Sequence, residues 1–94
     1  MLKKALAEFI RDLAEGRGRS ARTVDAYRRD LEPWVTFLEE QHAAMPTAPR
    51  NDPLFLRVYL RNRGQAGVSN RSLARFLSAL SSFQRFLSSQ SQSA

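Results

Sequence analysis

Residues 69–87 read SNRSLARFLSALSSFQRFL. Leu73, Phe76, Leu77, Leu80, Phe83 and Leu87 recur three or four positions apart, the period of one face of an α-helix. Advancing 100° per residue from Leu73 places Arg71, Arg75, Ser78, Ser82 and Arg85 roughly opposite that stripe. Ala74, Ala79 and Ser81 flank it, so the helix is read as apolar on one side and basic with small side chains on the other. Ser69 or Asn70 opens it, and Leu87 is its last apolar residue.

Three further segments lie between this helix and the N-terminus. The first runs from about Lys3 to Glu15, with Leu2, Leu6, Phe9, Ile10 and Leu13 at helical spacing, and stops at Gly16-Arg17-Gly18. The second begins with Ser20 as N-cap and runs to about Gln41, with Val24, Tyr27, Leu31, Trp34 and Leu38 facing inward. Pro33 cannot donate to the Arg29 carbonyl, so a kink or a break into two helices is expected there. A loop from Ala43 to Asn51 holds Pro46 and Pro49. The third helix has Asp52 as N-cap and Pro53 in its first position, turns Leu54, Phe55, Val58, Tyr59 and Leu60 inward, and ends near Gly64. No period-two alternation appears, so the fold class is all-α, a bundle of four helices, or five if Pro33 breaks the second.

The chain has 94 residues, 43% apolar and 26% charged, which describes one small domain. A chain this short hides about 60–65% of the surface it exposes when unfolded, leaving a thin core and little room for an enclosed catalytic pocket. There is no cysteine and a single histidine, His42. Disulfides, thiol nucleophiles and multi-histidine metal sites therefore drop out, and a reducing, cytoplasmic location is expected. The start, Met1-Leu2-Lys3-Lys4 followed by Glu8, Arg11 and Asp12, does not read as a signal peptide, and no apolar run reaches the ~18 residues of a membrane span. No glycine-rich phosphate loop, paired-carboxylate site or Ser/His/Asp set can be assembled, so neither a cofactor nor self-contained catalysis is expected. Residues 1–88 form the expected domain. The serine- and glutamine-rich tail after them is read as disordered or as a severed linker.

Charge is divided unevenly. Fifteen basic and nine acidic residues give a net +6. All nine acids lie at or before Asp52. Beyond it stand Arg57, Arg61, Arg63, Arg71, Arg75 and Arg85 with no acid, so the second half is a natural partner for a polyanion. Thirteen of the fifteen basic residues are arginine, whose planar fork matches phosphates and guanine edges. A GC-rich genome would account for some of that bias, though not for the missing acids. A basic, acid-free helix lined by small residues suits the major groove, about 12 Å wide; an ordinary solvated face usually mixes signs. On the second helix Arg22, Ala26 and Arg29 point away from the core, bordered by Asp25 and Asp30. Its start carries Arg17, Arg19, Ser20 and Thr23, where free amides suit phosphate. Tyr27, Trp34 and Tyr59 fall on apolar stripes and are read as core. His42 is read as a C-terminal cap residue, and Glu39-Glu40 as a solvated helix end.

Two stretches together, SARTVDAYRRDL at 20–31 and VSNRSLARFLSALSSFQRFL at 68–87, resemble the N-terminal core-binding domain of tyrosine recombinases and phage integrases, most closely the Xer branch (XerC/XerD). The resemblance covers about residues 5–88. It implies a SAM-like orthogonal bundle that clamps duplex DNA at a recombination half-site, with the second and fourth helices against the major groove. It places Arg71, Ser72, Arg75 and Ser78 at bases and phosphates and Arg22, Thr23 and Arg29 on the second-helix side; Arg19 and Ser20 at the start of the second helix and Asn70 at the start of the fourth complete the candidate DNA-contacting set. It implies further that strand cleavage, through a tyrosine nucleophile, belongs to a separate domain, so that this chain is non-catalytic. Its partners would be double-stranded DNA and, in the full-length tetrameric synapse, other recombinase subunits, the piece itself being monomeric. Pro33, Phe76 and Gln84 depart from the family pattern. The competing readings are a helical protein-interaction module and a freestanding helical DNA-binding regulator.

Overall fold

The computed structural model describes residues 2–47 and 52–92. Pro49 and Asn51 of the expected loop, and the last two residues of the tail, lie outside them. The described residues form four helices and no strand: α1 (Leu2–Arg11), α2 (Ala21–Ala44), α3 (Pro53–Gln65) and α4 (Asn70–Gln92), with a π-helical turn (Asp12–Gly16) appended to α1. This is an all-α, SAM-like bundle. Its extents of 34 × 34 × 17 Å make it a slab, whose short dimension fits two layers of helices.

Several termini follow from local chemistry. The α1 helix does not stay α-helical to Glu15. It widens at Asp12, and the Arg17 amide donates to the Asp12 carbonyl at 2.9 Å, five residues back. Gly18, at φ +62°, takes the left-handed conformation that favours glycine and turns the chain toward α2. Asp52 caps α3, its carboxylate accepting from the Leu54 amide at 2.9 Å, with Pro53 next. Gly67, at φ +94°, provides the turn into α4.

The helix α2 is the spine, meeting the other three helices, while α1 and α3 each meet α2 and α4. Leu31 and Val35 of α2 are almost fully buried, as are Phe9 and Leu13 from the N-terminal segment. Aromatic rings fill much of the remainder. Phe9 packs on Tyr27, Phe83 and Phe86 at centroid distances of 5.9, 5.3 and 5.4 Å. A second group joins Trp34 and Phe37 of α2 to Tyr59 of α3 and Phe76 of α4, at 5.1–6.0 Å.

Four expectations are corrected here. Of the kink or break expected at Pro33, the break is absent, because α2 runs as one 24-residue helix with Pro33 inside it. Leu31, Trp34, Val35 and Leu38 are buried on either side of it. That burial offsets the roughly 3 kcal/mol cost of an interior proline, and the freed Arg29 carbonyl belongs to an exposed turn. On α3, Phe55 and Tyr59 are buried but Leu54 and Val58 are 56% and 39% exposed; four apolar positions so close cover more than one face, and the aromatic pair takes the core. On α4, Leu77 is exposed while Ala79 and Phe86 are buried, which rotates the apolar stripe toward Phe9 and places Ala79 against the core instead of beside the basic face. The helix also continues past Leu87 to Gln92, so residues 88–92 are regular where an irregular tail was expected.

The fully buried Phe9 sets one prediction. Phe9→Ala should cost about 3–5 kcal/mol, a large part of the 5–15 kcal/mol typical of a domain, whereas Leu54→Ala should change stability by under about 0.5 kcal/mol. Urea denaturation followed by circular dichroism reads both. By the same measurement Pro33→Ala should raise the midpoint, with a gain of up to about 3 kcal/mol; an unchanged midpoint would mean that α2 carries no proline penalty.

Candidate nucleic-acid interface

The two helices singled out in the sequence start alike. Ser20 Oγ accepts from the Thr23 amide at 3.2 Å and donates to Thr23 Oγ1 at 3.1 Å. Ser69 does the same at the start of α4, accepting from the Ser72 amide and donating to Ser72 Oγ, both at 3.1 Å. Each cap satisfies one of the amides that a helix start leaves without an intrahelical acceptor, while those of Ala21 and Arg22, and of Asn70 and Arg71, stay directed along the axis. The Thr23 and Ser72 hydroxyls act as acceptors in these pairs, so each keeps its own hydrogen to donate. Arg19, Ser20 and Arg22 are exposed at the first start, with Thr23 half-buried; Asn70 and Arg71 are exposed at the second, with Ser72 half-buried. A cationic side chain beside free amides at a helix start is an arrangement that binds phosphate.

Between the α4 start and the middle of α2 lies a groove of about 470 Å³, to which Arg29, Asp30, Tyr59, Arg63, Ser72 and Arg75 all contribute. Its floor is the second aromatic group, through Tyr59 and Phe76. The Arg63 guanidinium sits 5.9 Å from the centre of the Tyr59 ring, within reach of a cation–π attraction. Burial pushes the Tyr59 phenol above its ordinary value; Arg63 opposes that shift and Asp30 adds to it.

Arg75 is the residue whose place differs most from expectation. Its Nε and Nη2 each donate to a carboxylate oxygen of Asp30 at 2.9 Å. The Asp30 side chain is only 10% exposed, while that of Arg75 is 61% exposed. The hydrogen bond, and then the charge, of Asp30 hold the guanidinium still more firmly protonated. The second half of the sequence is free of acids, but its surface is not, because α2 supplies one across 45 positions of chain.

The structure thus brings Arg29, Ser72 and Arg75 of the expected set into one groove, and puts Arg19, Ser20, Arg22 and Thr23 at one helix start and Asn70 and Arg71 at another. Ser78 is exposed farther along α4. Arg17 is held by Asp12 at 3.0 Å and Arg28 by Asp25 at 3.1 Å. Arg19, Arg22, Arg29, Arg63 and Arg71 have no carboxylate partner among the described residues. Sequence reasoning missed Asp30, Tyr59 and Arg63 as parts of the groove. His42 is also corrected: Met45 ends α2, its amide donating to the Gln41 carbonyl, while the His42 ring lies 6.0 Å from Phe55 and its Nε2 is buried without a partner among the described residues. Trp34 and Tyr59 are core as expected, and Tyr27 is half-buried against Phe9. Among the described residues, no group of three or more His, Asp or Glu side chains is placed to hold a metal ion, and no helix is long and apolar enough to cross a membrane.

Residues 6–91 match the family model for the phage integrase N-terminal SAM-like domain. Among curated proteins, the chain is 40% identical over 88 residues to the tyrosine recombinase XerC of Methylobacterium nodulans, covering 92% of this chain and 27% of that protein. It is 39% identical over 82 residues to XerC of Rhizobium meliloti, covering 84% of this chain and 26% of that protein, and 37% identical over 79 residues to XerD of the same organism, covering 84% and 24%. The chain therefore spans about a quarter of the length of these relatives. No solved structure matches it.

The raised Tyr59 value has a measurable consequence. Folding favours the neutral phenol, so its contribution is fully present below the unfolded value of 10.0 and is lost as pH rises through the higher folded one. The urea midpoint of the wild type should fall above about pH 10, and Tyr59→Phe should remove part of that fall. Equal alkaline losses in both proteins would count against a buried, neutral Tyr59.

Proposed function

We propose, from the premise that the chain belongs to the phage integrase N-terminal SAM-like domain family, that it is a DNA-binding domain of a site-specific tyrosine recombinase, and that residues 1–88 clamp a recombination half-site. One observation carries this reading: unpaired arginines cluster at two capped helix starts and around the groove joining α2 to α4. Arg19, Arg22 and Arg71 stand where free amides already favour an anion, and Arg29 and Arg63 extend that positive surface along the groove. The contribution of these residues is affinity and placement. Strand cleavage and rejoining would be the work of regions of a full-length recombinase beyond the stretch that this chain matches. Its partners would be duplex DNA and other recombinase subunits, in integration or in the resolution of joined chromosomes, and its location would be the cytoplasm, where bacterial DNA lies.

Affinity of this kind comes largely from counterions released as phosphates are neutralised. About six phosphate contacts give a slope of log K against log salt near −5, so binding should weaken steeply between 50 and 200 mM salt. Arg22→Ala should weaken binding to all duplexes alike and reduce the slope by about 1. Fluorescence titration of a labelled duplex measures both. Absence of binding at tens of micromolar protein in 50 mM salt would sink the reading and favour an acidic protein partner for the same surface.

A further inference from the structure

We infer that Asp30 fixes Arg75 as a charge-neutralised reader of a guanine edge, so that this arginine supplies sequence discrimination and not phosphate attraction. The inference rests on the DNA-binding reading and adds to it a positioning residue, Asp30, and a division of labour among the arginines.

The geometry carries it. Guanidinium has five N–H donors in a fixed plane. The Nε–H and one Nη2–H of Arg75 are taken by the two oxygens of Asp30, each at 2.9 Å. The other Nη2–H and both Nη1–H groups have no partner among the described residues. Two of these three, one on each terminal nitrogen, run parallel along the edge next to the clamped one, about 120° round the guanidinium plane. The Asp30 side chain is 10% exposed and that of Arg75 61% exposed, so the clamp is made at the buried partner while much of the guanidinium side chain stays open to solvent. A free arginine on a helix surface samples many rotamers and loses that freedom when it binds; one clamped at two atoms has already lost it.

Two kinds of acceptor on duplex DNA fit a parallel pair of N–H groups: the O6 and N7 of guanine and two oxygens of a phosphate. Charge decides between them. Attraction to a phosphate depends on the net charge it meets, and here a carboxylate bonded to the neighbouring edge of the guanidinium offsets the arginine's charge. Hydrogen bonding to the neutral guanine edge depends on direction, which the clamp improves. An acid facing a polyanion through an exposed arginine is costly unless the arginine is needed for direction more than for charge. Arg29, Arg63 and Arg71, which lack such a partner, remain as the phosphate-facing cations nearby.

A preferred site is first selected from a randomised duplex pool with the wild-type chain. Affinities are then measured on that site, on versions with each G·C pair replaced, and on random duplex, from 50 to 200 mM salt, for wild type, Asp30→Asn, Asp30→Glu, the Asp30→Asn/Arg75→Ala double variant and Arg71→Ala, each checked for helicity. Wild type should discriminate about tenfold or more at one G·C pair. The Asp30→Asn/Arg75→Ala double variant, which removes both charges of the pair, should abolish that discrimination and leave the salt slope unchanged, whereas Arg71→Ala should reduce the slope by about 0.9. Asp30→Asn should lose the same discrimination, bind random duplex more tightly and steepen the slope by about 0.9, because Arg75 becomes a free cation. Asp30→Glu, which keeps the carboxylate, should retain the wild-type slope, so the outcome does not depend on tolerance of asparagine. If the double variant weakens every duplex equally and flattens the slope relative to wild type as Arg71→Ala does, Arg75 is a phosphate anchor and the inference falls while DNA binding stands. If wild type binds no duplex at 50 mM salt, the underlying reading falls and takes the inference with it.

Discussion

The fold depends on aromatic contact across α2. A chain of 94 residues has too little interior for a deep aliphatic core, and in this one four rings each link three helices. Phe9 joins α1 to α2 and α4, and Trp34, Tyr59 and Phe76 join α2, α3 and α4. Rings suit the task because each buries a large area and because tilted or edge-on pairs add about 0.5–1.5 kcal/mol beyond that area. They also explain why Pro33 is tolerated: the helix around it is held from outside, through Trp34 and its neighbours, and does not rely on one missing hydrogen bond.

The same packing sets the position of the basic groove. Tyr59 and Phe76 face the core with their rings and border the groove on its other side, so the distance between α2 and α4 is fixed by the aromatic group that lies beneath. Arg63 rests on the Tyr59 ring, and Asp30 and Arg75 close the gap above Phe76. A substitution in this cluster would therefore reach the candidate interface through geometry even where it touches no arginine. The pair of like caps, Ser20 with Thr23 and Ser69 with Ser72, does for the helix starts what the rings do for the helix middles: each fixes where a set of amides points.

Much of this was legible in the sequence, and the parts that were not share a cause. Four helices, the Ser20 and Asp52 caps and Pro53 at a helix start follow from local spacing and local chemistry, and all are present, although α2 runs past Gln41 to Ala44 and α4 past Leu87 to Gln92. Failures came where the deciding contact lies far away in the chain. Leu54 and Leu77 read as core by local hydrophobicity, yet the faces buried were chosen by Tyr59 and Phe86 meeting partners on other helices. His42 read as a cap, yet it packs on Phe55 of the next helix. The absence of acids after Asp52 was a true statement about the chain and an incomplete one about the surface, because Asp30 reaches Arg75 across 45 positions. Proximity of that kind leaves no trace in periodicity. Asp30 did carry one local mark: it sits among Arg28, Arg29 and the apolar Leu31, at the border between a solvated face and a buried one.

A net charge of +6 describes how strongly the chain is drawn to a polyanion, not how it chooses where to stop. Long-range attraction sums over unpaired cations and ignores their orientation, so arginines that only attract gain nothing from being held still. Discrimination between base pairs has the opposite requirement, a fixed plane of donors and little dependence on charge. A protein limited to one residue type for both tasks can separate them by giving some arginines a carboxylate and leaving others bare. In this structure the paired groove arginine is Arg75, clamped at two atoms, while Arg29 and Arg63, which line the same groove, have no carboxylate partner among the described residues. Asp30 is then an acid on a basic surface for a physical reason: it removes charge from the one side chain whose direction it fixes.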